Sequence, residues 1–379
     1  MASRAGRGSR LMTGGVALLS AAAMMYGGCA SFGQNPTGDD LTRVRRSPHY
    51  GEETFVNTVA TRQGFDAGRM QYLWDRLFDD DAARSPVETG ITIPVERAPR
   101  ARFAAPWTDG VRATWVGHST VLLELDGMRV LADPIWSDRC SPVSWAGPQR
   151  FHEPGVAFDD LPELDAVIIS HDHYDHLDQP TIERLAKRGV TFYVPLGVGS
   201  HLKKWGVTRV VELDWWGEAV VTGKQGQKMR LIATPARHFS GRGPIDRDRT
   251  LWASWAIVGP TQRAWFGGDT GYFQGFKEIG ERLGPFDLTI IPIGAYDEAW
   301  RDVHLNPEEA VQAHLDVRGR AMMPIHWGTF NLGFHAWNEP PQRLLRAAQD
   351  HKVTTLQVPK PGQSVRTSAA LQVERWWLK

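Results

Sequence analysis

Apolar and polar positions along this chain alternate in short runs separated by turn residues, and the runs predict a strand-rich beginning. Ala113–Val116, Thr120–Leu125 and Met128–Ala132 read as strands, the last two joined by Asp126-Gly127. Asp-Gly between two apolar runs is a hairpin turn signal. Asp133-Pro134 closes the third run, because the residue before proline is pushed out of regular pairing geometries. Leu164–Ser170 is a nearly unbroken apolar run and reads as a buried strand. Further strands are expected at Val190–Val194, Val210–Leu213, Ala219–Thr222, Met229–Thr234, Leu251–Val258, Ala264–Gly267, Leu288–Ile291 and Ala321–Ile325. Helices are expected at Gln179–Arg188, Gly199–Trp205, Phe273–Glu281, Pro307–Val317 and Pro341–His351, with Asn306 as a cap and Pro307 in the first turn. Strands first, then mixed strand and helix twice over, suggests two sheets flanked by helices.

The chemistry lies at the ends of the strands. Asp133, the run His171-Asp172-His173-Tyr174-Asp175-His176, His238, Asp269 and His326 each follow an apolar strand. Loops at strand ends are held by a rigid frame, so similar placement suggests one common rim. Four metal-competent side chains fall within the six residues 171–176. Imidazole and carboxylate are good zinc ligands without any thiolate. His171 and His173 can turn to one centre, and Asp175 and His176 can serve a neighbouring one. Asp172 is set aside because its side chain should point away from its neighbours. A second metal would need more ligands and a bridging carboxylate, for which His238, Asp269 and His326 are the candidates.

Composition narrows the partners. The chain has 379 residues, with 43 Lys plus Arg balanced by 43 Asp plus Glu. No basic arm is present, which argues against nucleic acid. The 16 tryptophans are expected to be mostly core. Of the two cysteines, Cys140 is expected to be structural.

The N-terminus reads as a targeting segment, not as fold. Arg4, Arg7 and Arg10 precede the uncharged run Leu11 to Tyr26, which ends at Gly27-Gly28-Cys29. This is an export-signal pattern, and it resembles a bacterial lipoprotein signal. That resemblance implies cleavage before Cys29, lipidation of Cys29, and a periplasm-facing or outer membrane address. A plain secretory signal or a short uncleaved anchor fits the same residues. The expected organisation is therefore a signal peptide at 1–28, a tether at 29–41 and a cap or extension at 42–100 with helical pieces near Gly68–Phe78. A catalytic domain follows at 101–379.

The run at 171–176, with His238, Gly268-Asp269 and His326 in order, resembles the H-x-H-x-D-H signature and ligand series of the metallo-beta-lactamase fold. The resemblance implies a four-layer αββα sandwich of the α/β class. It implies one divalent ion held by His171, His173 and His238, a second held by Asp175, His176 and His326, and Asp269 bridging both. Zinc is the default for His-rich ligation, with iron or manganese as alternatives. Trp115-Val116-Gly117-His118-Ser119-Thr120, Leu131-Ala132-Asp133-Pro134 and His304-Leu305-Asn306-Pro307-Glu308-Glu309-Ala310 resemble the N-acyl-phosphatidylethanolamine-hydrolysing phospholipase D branch. That branch implies a phospholipid or small phosphodiester substrate, attack by a metal-bridging hydroxide, and a role for His304 at the phosphate or leaving oxygen. Asp133 and His118 are expected to orient ligand rings; Asp178 either does the same or caps the following helix. The alternatives are a lactonase or small-molecule phosphodiesterase of the same fold, and a non-enzymatic zinc-containing envelope lipoprotein.

Overall fold

A computed structural model describes residues 30–62, 85–86, 89–243, 245–369 and 373–378. The expected signal peptide, Cys29 and the helical piece near Gly68–Phe78 lie outside the described residues. No helix among the described residues is long and apolar enough to cross a membrane.

Two mixed sheets build the body. The first has the order β13-β1-β2-β3-β4-β5-β6. Its strands are β1 (Arg112–Gly117), β2 (Thr120–Leu125), β3 (Met128–Ala132), β4 (Ala166–Ile168), β5 (Phe192–Pro195), β6 (Val210–Leu213) and β13 (Ser364–Arg366). The second has the order β12-β11-β10-β9-β8-β7, with β7 (Glu218–Thr222), β8 (Lys228–Thr234), β9 (Ser254–Val258), β10 (Arg263–Phe266), β11 (Phe286–Pro292) and β12 (Gly319–Ile325). Each sheet starts as an antiparallel meander and continues in parallel strands. Helices make the parallel crossovers: α2 (Gln179–Ala186) and α3 (Val198–Lys204) in the first sheet, α4 (Gly275–Leu283) and α5 (Pro307–Asp316) in the second. α6 (Glu339–Asp350) follows β12, and α1 (Gly38–Val44) precedes the sheets.

The strand period of two sorts the side chains into layers. Val121, Leu123, Leu125, Val130, Ala132, Ala166 and Ile168 enter the core shared with the second sheet. Their alternating neighbours Leu122, Leu131, Val167 and Ile169 pack with Ile182, Leu185, Val198 and Leu202 under α2 and α3. Phe276 and Ile279 of α4, Val311 of α5 and Leu344 of α6 cover the second sheet. Helices, sheet, sheet and helices are the four expected layers.

The Asp126-Gly127 turn has φ of 49° and 77°, the left-handed pair that a tight hairpin requires. Asn306 caps α5 as expected, and Glu309 completes a capping box with it. The leading strand before the histidines is shorter than its apolar run, because only Ala166–Ile168 ladder with β3 and β5.

The segment expected as a tether at 29–41 makes hydrogen bonds to the body where it is described. Trp205 Nε1 donates to Ala30 O at 2.9 Å, Ser31 Oγ donates to Pro142 O at 2.7 Å, and Lys203 binds Asp40 at 2.7 Å. Several polar groups of this polar stretch are thus paired with the body. Residues 42–62 run along the 237–250 loop, with Phe55 N–H donating to Asp248 O and Arg249 pairing with Glu53.

Candidate metal centre

The site is built where strands of both sheets end. Gly268, just after β10, has φ 58°. A Cβ there would stand 2.6 Å from Ser170 Cβ at the end of the leading strand. Glycine therefore lets the two rims close until Asp269 reaches the histidine loop. Three non-glycine site residues also sit in the left-handed region, His118 (φ 53°), Asp133 (φ 40°) and His326 (φ 63°). Such backbone is costly and persists where surroundings over-determine it. Here His326 N–H donates to His118 O at 3.1 Å, and His118 N–H donates to Thr329 Oγ1 at 2.7 Å.

The seven expected ligands come together in two groups. His171, His173 and His238 form one; Asp175, His176 and His326 form the other, with His118 beside them. Asp269 stands between. Its Oδ2 is 3.2 Å from His176 Nε2, 3.1 Å from His326 Nε2 and 3.9 Å from His238 Nε2. Asp175 Oδ2 is 3.2 Å from the Nε2 atoms of both His176 and His326.

Hydrogen bonds on the far side of each ring assign the tautomers. His176 Nδ1–H donates to Asp133 Oδ2 at 2.7 Å. His171 Nδ1–H donates to Ser170 Oγ at 2.9 Å, and Ser170 Oγ–H donates on to Asp133 Oδ2 at 2.6 Å. Ser170 N–H donates to Asp133 Oδ1 at 2.7 Å. His238 Nδ1–H donates to Val303 O at 2.9 Å. In all three the Nδ1 side is taken and the Nε2 atom faces inward, as metal ligation demands. One carboxylate, Asp133, thus orients a ligand in each group, one directly and one through Ser170.

The donor sets fit divalent metal ions. His173 Nδ1 lies 2.8 Å from His171 Nε2 and 3.3 Å from His238 Nε2. With two of the three ring nitrogens as lone pairs, a single proton on His173 Nδ1 can serve one of them well and leaves the other without a donor of its own. A shared cation satisfies all three, and ligand atoms around tetrahedral zinc are spaced by roughly 3.3 Å given bonds of ~2.0–2.1 Å. In the second group Asp269 Oδ1 is buried with no hydrogen-bond donor. That orphaned acceptor is costly unless something positive meets it.

Electrostatics divides the groups. Burial and the neighbouring rings hold His171 well below the ordinary histidine range. Burial does the same to His238 against the pull of Asp269. Burial also opposes charge on His176 and His326, but Asp269 and Asp175 outweigh it, lifting His176 well above the ordinary range and His326 to about 9. Burial pushes the Asp133 carboxyl up, against the pull of His176 and Ser170. The first group is neutral and the second carries the carboxylates.

His118 Nε2 donates to Asp175 Oδ2 at 2.8 Å, so it holds a carboxylate of the second group rather than the ligand ring that was expected. His304 lies at the rim, with its Nδ1 3.8 Å from Asp269 Oδ2 and its ring 5.2 Å from that of His238. Burial presses its pKa down to about 4. Asp172 points away, as expected, and accepts from Gly241 N–H at 2.8 Å and Thr250 Oγ1 at 2.9 Å. Asp178 orients no ligand; it accepts from Ser137 Oγ at 2.8 Å and so pins the loop after Asp133. Cys140 is buried between Ile135 and Phe330, a structural thiol.

Three supporting residues were missed. Ser170 adjoins the motif and offered a signal, a hydroxyl ending an apolar strand. Asn57 offered none: its side chain accepts from His238 N–H at 3.1 Å and donates to His238 O at 2.8 Å across 181 residues. Arg242 is buried and donates to Asp172 O at 2.5 Å and Leu177 O at 2.9 Å, holding both ends of the histidine loop.

Comparison with known proteins agrees with this geometry. The sequence profile of the beta-lactamase superfamily domain matches residues 128–327. An uncharacterised protein of Mycobacterium tuberculosis is 48% identical over 353 residues, covering 90% of this chain and 91% of its own length. N-acyl-phosphatidylethanolamine-hydrolyzing phospholipase D 1 of Caenorhabditis elegans is 41% identical over 269 residues, 68% of this chain and 75% of that protein. Among solved structures, an isothiocyanate hydrolase from Delia radicum gut bacteria superposes with a TM-score of 0.54 at 16% identity, covering 68% of this chain and 100% of its own. That last likeness concerns the fold.

Proposed function

The chain belongs to the beta-lactamase superfamily and is a metal-dependent hydrolase of it; on that premise we propose that it is a phosphodiesterase of phospholipase D type. Its substrate in this reading is N-acyl phosphatidylethanolamine or a related phospholipid. The bond broken joins phosphorus to the ethanolamine oxygen, and water supplies the new P–O bond. The products are phosphatidate and an N-acylethanolamine. The observation that carries the reading is the 41% identity to the C. elegans enzyme over 269 residues, 68% of this chain. The position of His304, with its Nδ1 3.8 Å from Asp269 Oδ2, fits it.

Two bound divalent ions would supply an acidified water and positive charge for the phosphoryl oxygens. The protein's own groups do the rest. Asp133 and Ser170 hold His171 and His176 in the ligating tautomer. Asp269 faces both groups and tempers their positive charge. His304, neutral at pH 7 because burial depresses it, offers an imidazole N–H at the rim to a phosphoryl or leaving oxygen without demanding a counter-charge. The formal net charge of zero gives no general attraction for a polyanion, which favours a lipid or small diester over nucleic acid.

The test is turnover by the metal-loaded protein on N-acyl phosphatidylethanolamine, unmodified phosphatidylethanolamine, bis(p-nitrophenyl) phosphate and a simple lactone, with products identified by mass spectrometry. N-acylethanolamine release is expected. Lactone opening with no phosphodiester cleavage would assign the site to another chemistry of the same fold.

A further inference from the structure

Three exposed apolar side chains are carried by segments that meet at one residue. Ser31 Oγ donates to Pro142 O at 2.7 Å, and Arg242 Nε donates to Ser31 O at 2.9 Å. Phe32 follows Ser31, Trp145 lies three residues beyond Pro142, and Ile245 three beyond Arg242. Their exposures are 39%, 65% and 87%. Apolar side chains this open on three stapled loops have no packing role. A tryptophan at a loop tip suits an interface between oil and water, since its ring is amphipathic.

The sequence indicates what this face meets. Cys29 is two residues before Ser31, so an attachment there lies within ~7 Å of chain from the staple. The uncharged run Leu11 to Tyr26 ends only three residues before Cys29. Ala30 is itself fixed by Trp205. Whatever holds that run or Cys29 in a bilayer would bring the bilayer near Ser31, where the three segments meet. Exposed cations flank the face: Lys204 donates to Gly33 O at 2.6 Å, and Arg247 lies over the Phe239 ring at 4.5 Å. Phe239 packs on His173 at 4.5 Å, so the same face borders the histidine loop. We propose that Phe32, Trp145 and Ile245 form a membrane-docking face whose partner is a lipid bilayer, and that it seats the metal-site rim at the headgroup layer. This surface is independent of which ester the site cleaves.

The test places an environment-sensitive fluorophore on single cysteines, W145C, I245C and the control L315C, in the full chain carrying C29S. Cys140 is buried and does not compete. Leu315 is exposed near the end of α5 away from the rim. Protein is bound to vesicles of phosphatidylcholine and phosphatidylglycerol with brominated acyl chains. Labels at 145 and 245 are expected to shift to the blue and be quenched, while the label at 315 stays aqueous. Aqueous emission from 145 and 245 on vesicle-bound protein would overturn the proposal. Apolar emission before vesicles are added would also overturn it, by assigning the face to the chain's own apolar run or to a second copy.

Discussion

Asp133→Asn is the substitution that separates a positioning carboxylate from a bystander. In the wild type Asp133 accepts from His176 Nδ1, Ser170 Oγ and Ser170 N–H at 2.6–2.7 Å. An asparagine tolerates the left-handed backbone at φ 40°, so the fold should survive. It offers one carbonyl oxygen where three donors converge, and its amide sets a donor against a donor. One result is an unmet buried hydrogen bond, costing about 1–3 kcal/mol of stability. The other is a His176 ring driven to carry its proton on Nε2, the atom that faces Asp175 and Asp269. Losing such a partner typically costs about 10–100-fold in metal affinity, or about 1.4–2.7 kcal/mol. Both groups should weaken, because His171 depends on the same carboxylate through Ser170. Ser170→Ala should weaken mainly the group of His171, His173 and His238, leaving the His176 contact. Titration of metal-free protein against a chromophoric chelator reads both affinities, and thermal melting without metal reads the fold. Wild-type affinity at both sites in Asp133→Asn would refute the relay.

Further outcomes are expected. Asp269→Ala should lower metal content from about two ions per chain toward one and cut turnover at least ~10²-fold; unchanged metal content and rate would remove it as the bridge. His304→Ala should lower kcat by about 10²–10⁴-fold at unaltered metal content if it serves the leaving oxygen or phosphate, and an unaltered kcat would return it to a rim residue. Burial raises the Asp248 carboxyl to about 6 from an ordinary 3.8, against the Ser240 N–H. A raised acid favours the protonated fold, so stability falls as pH climbs through 4 to 6. Asp248→Asn should therefore melt higher than wild type at pH 7.5, by up to ~3 kcal/mol at 1.36 kcal/mol per pH unit, with the gap closing near pH 4; equal melting at both pH values would contradict it.

Local signals placed most of the elements. β2, β3 and β6 coincide with their apolar runs, and Asn306-Pro307 marked the start of α5. Among the described residues, one strand and one α-helix went unseen. β13 is three residues held at an edge by register with Arg112–Thr114, and α1 has one buried residue, Val44, in seven. Neither carries a periodicity long enough to read. Most of the described tryptophans are buried, with Trp145 exposed: Trp115, Trp327, Trp376 and Trp377 form one cluster, stacked with Trp115–Trp327 centroids at 5.6 Å and Trp327–Trp376 at 4.9 Å, and with Trp377 edge-on to Trp376. That Trp376 and Trp377 come from the far end of the chain to join it was not legible.

The sequence by itself determined which residues are candidates to hold metal. Histidine and aspartate at the ends of apolar strands are a chemical inventory, and the order 171, 173, 175, 176, 238, 269, 326 is readable without coordinates. It also determined that two sheets exist, because strand period and turn residues are local properties. Only the tertiary structure decided which nitrogen of each ring faces inward. That choice is made by Asp133, Ser170 and Val303, and a hydrogen bond depends on distance in space, not on separation in sequence. The same holds for Asn57, which clamps His238 across 181 residues, and for Ser31. Ser31, in the segment that composition marked as a tether, meets Arg242 beside the histidine loop, because a buried guanidinium needs acceptors and the folded chain supplies one there.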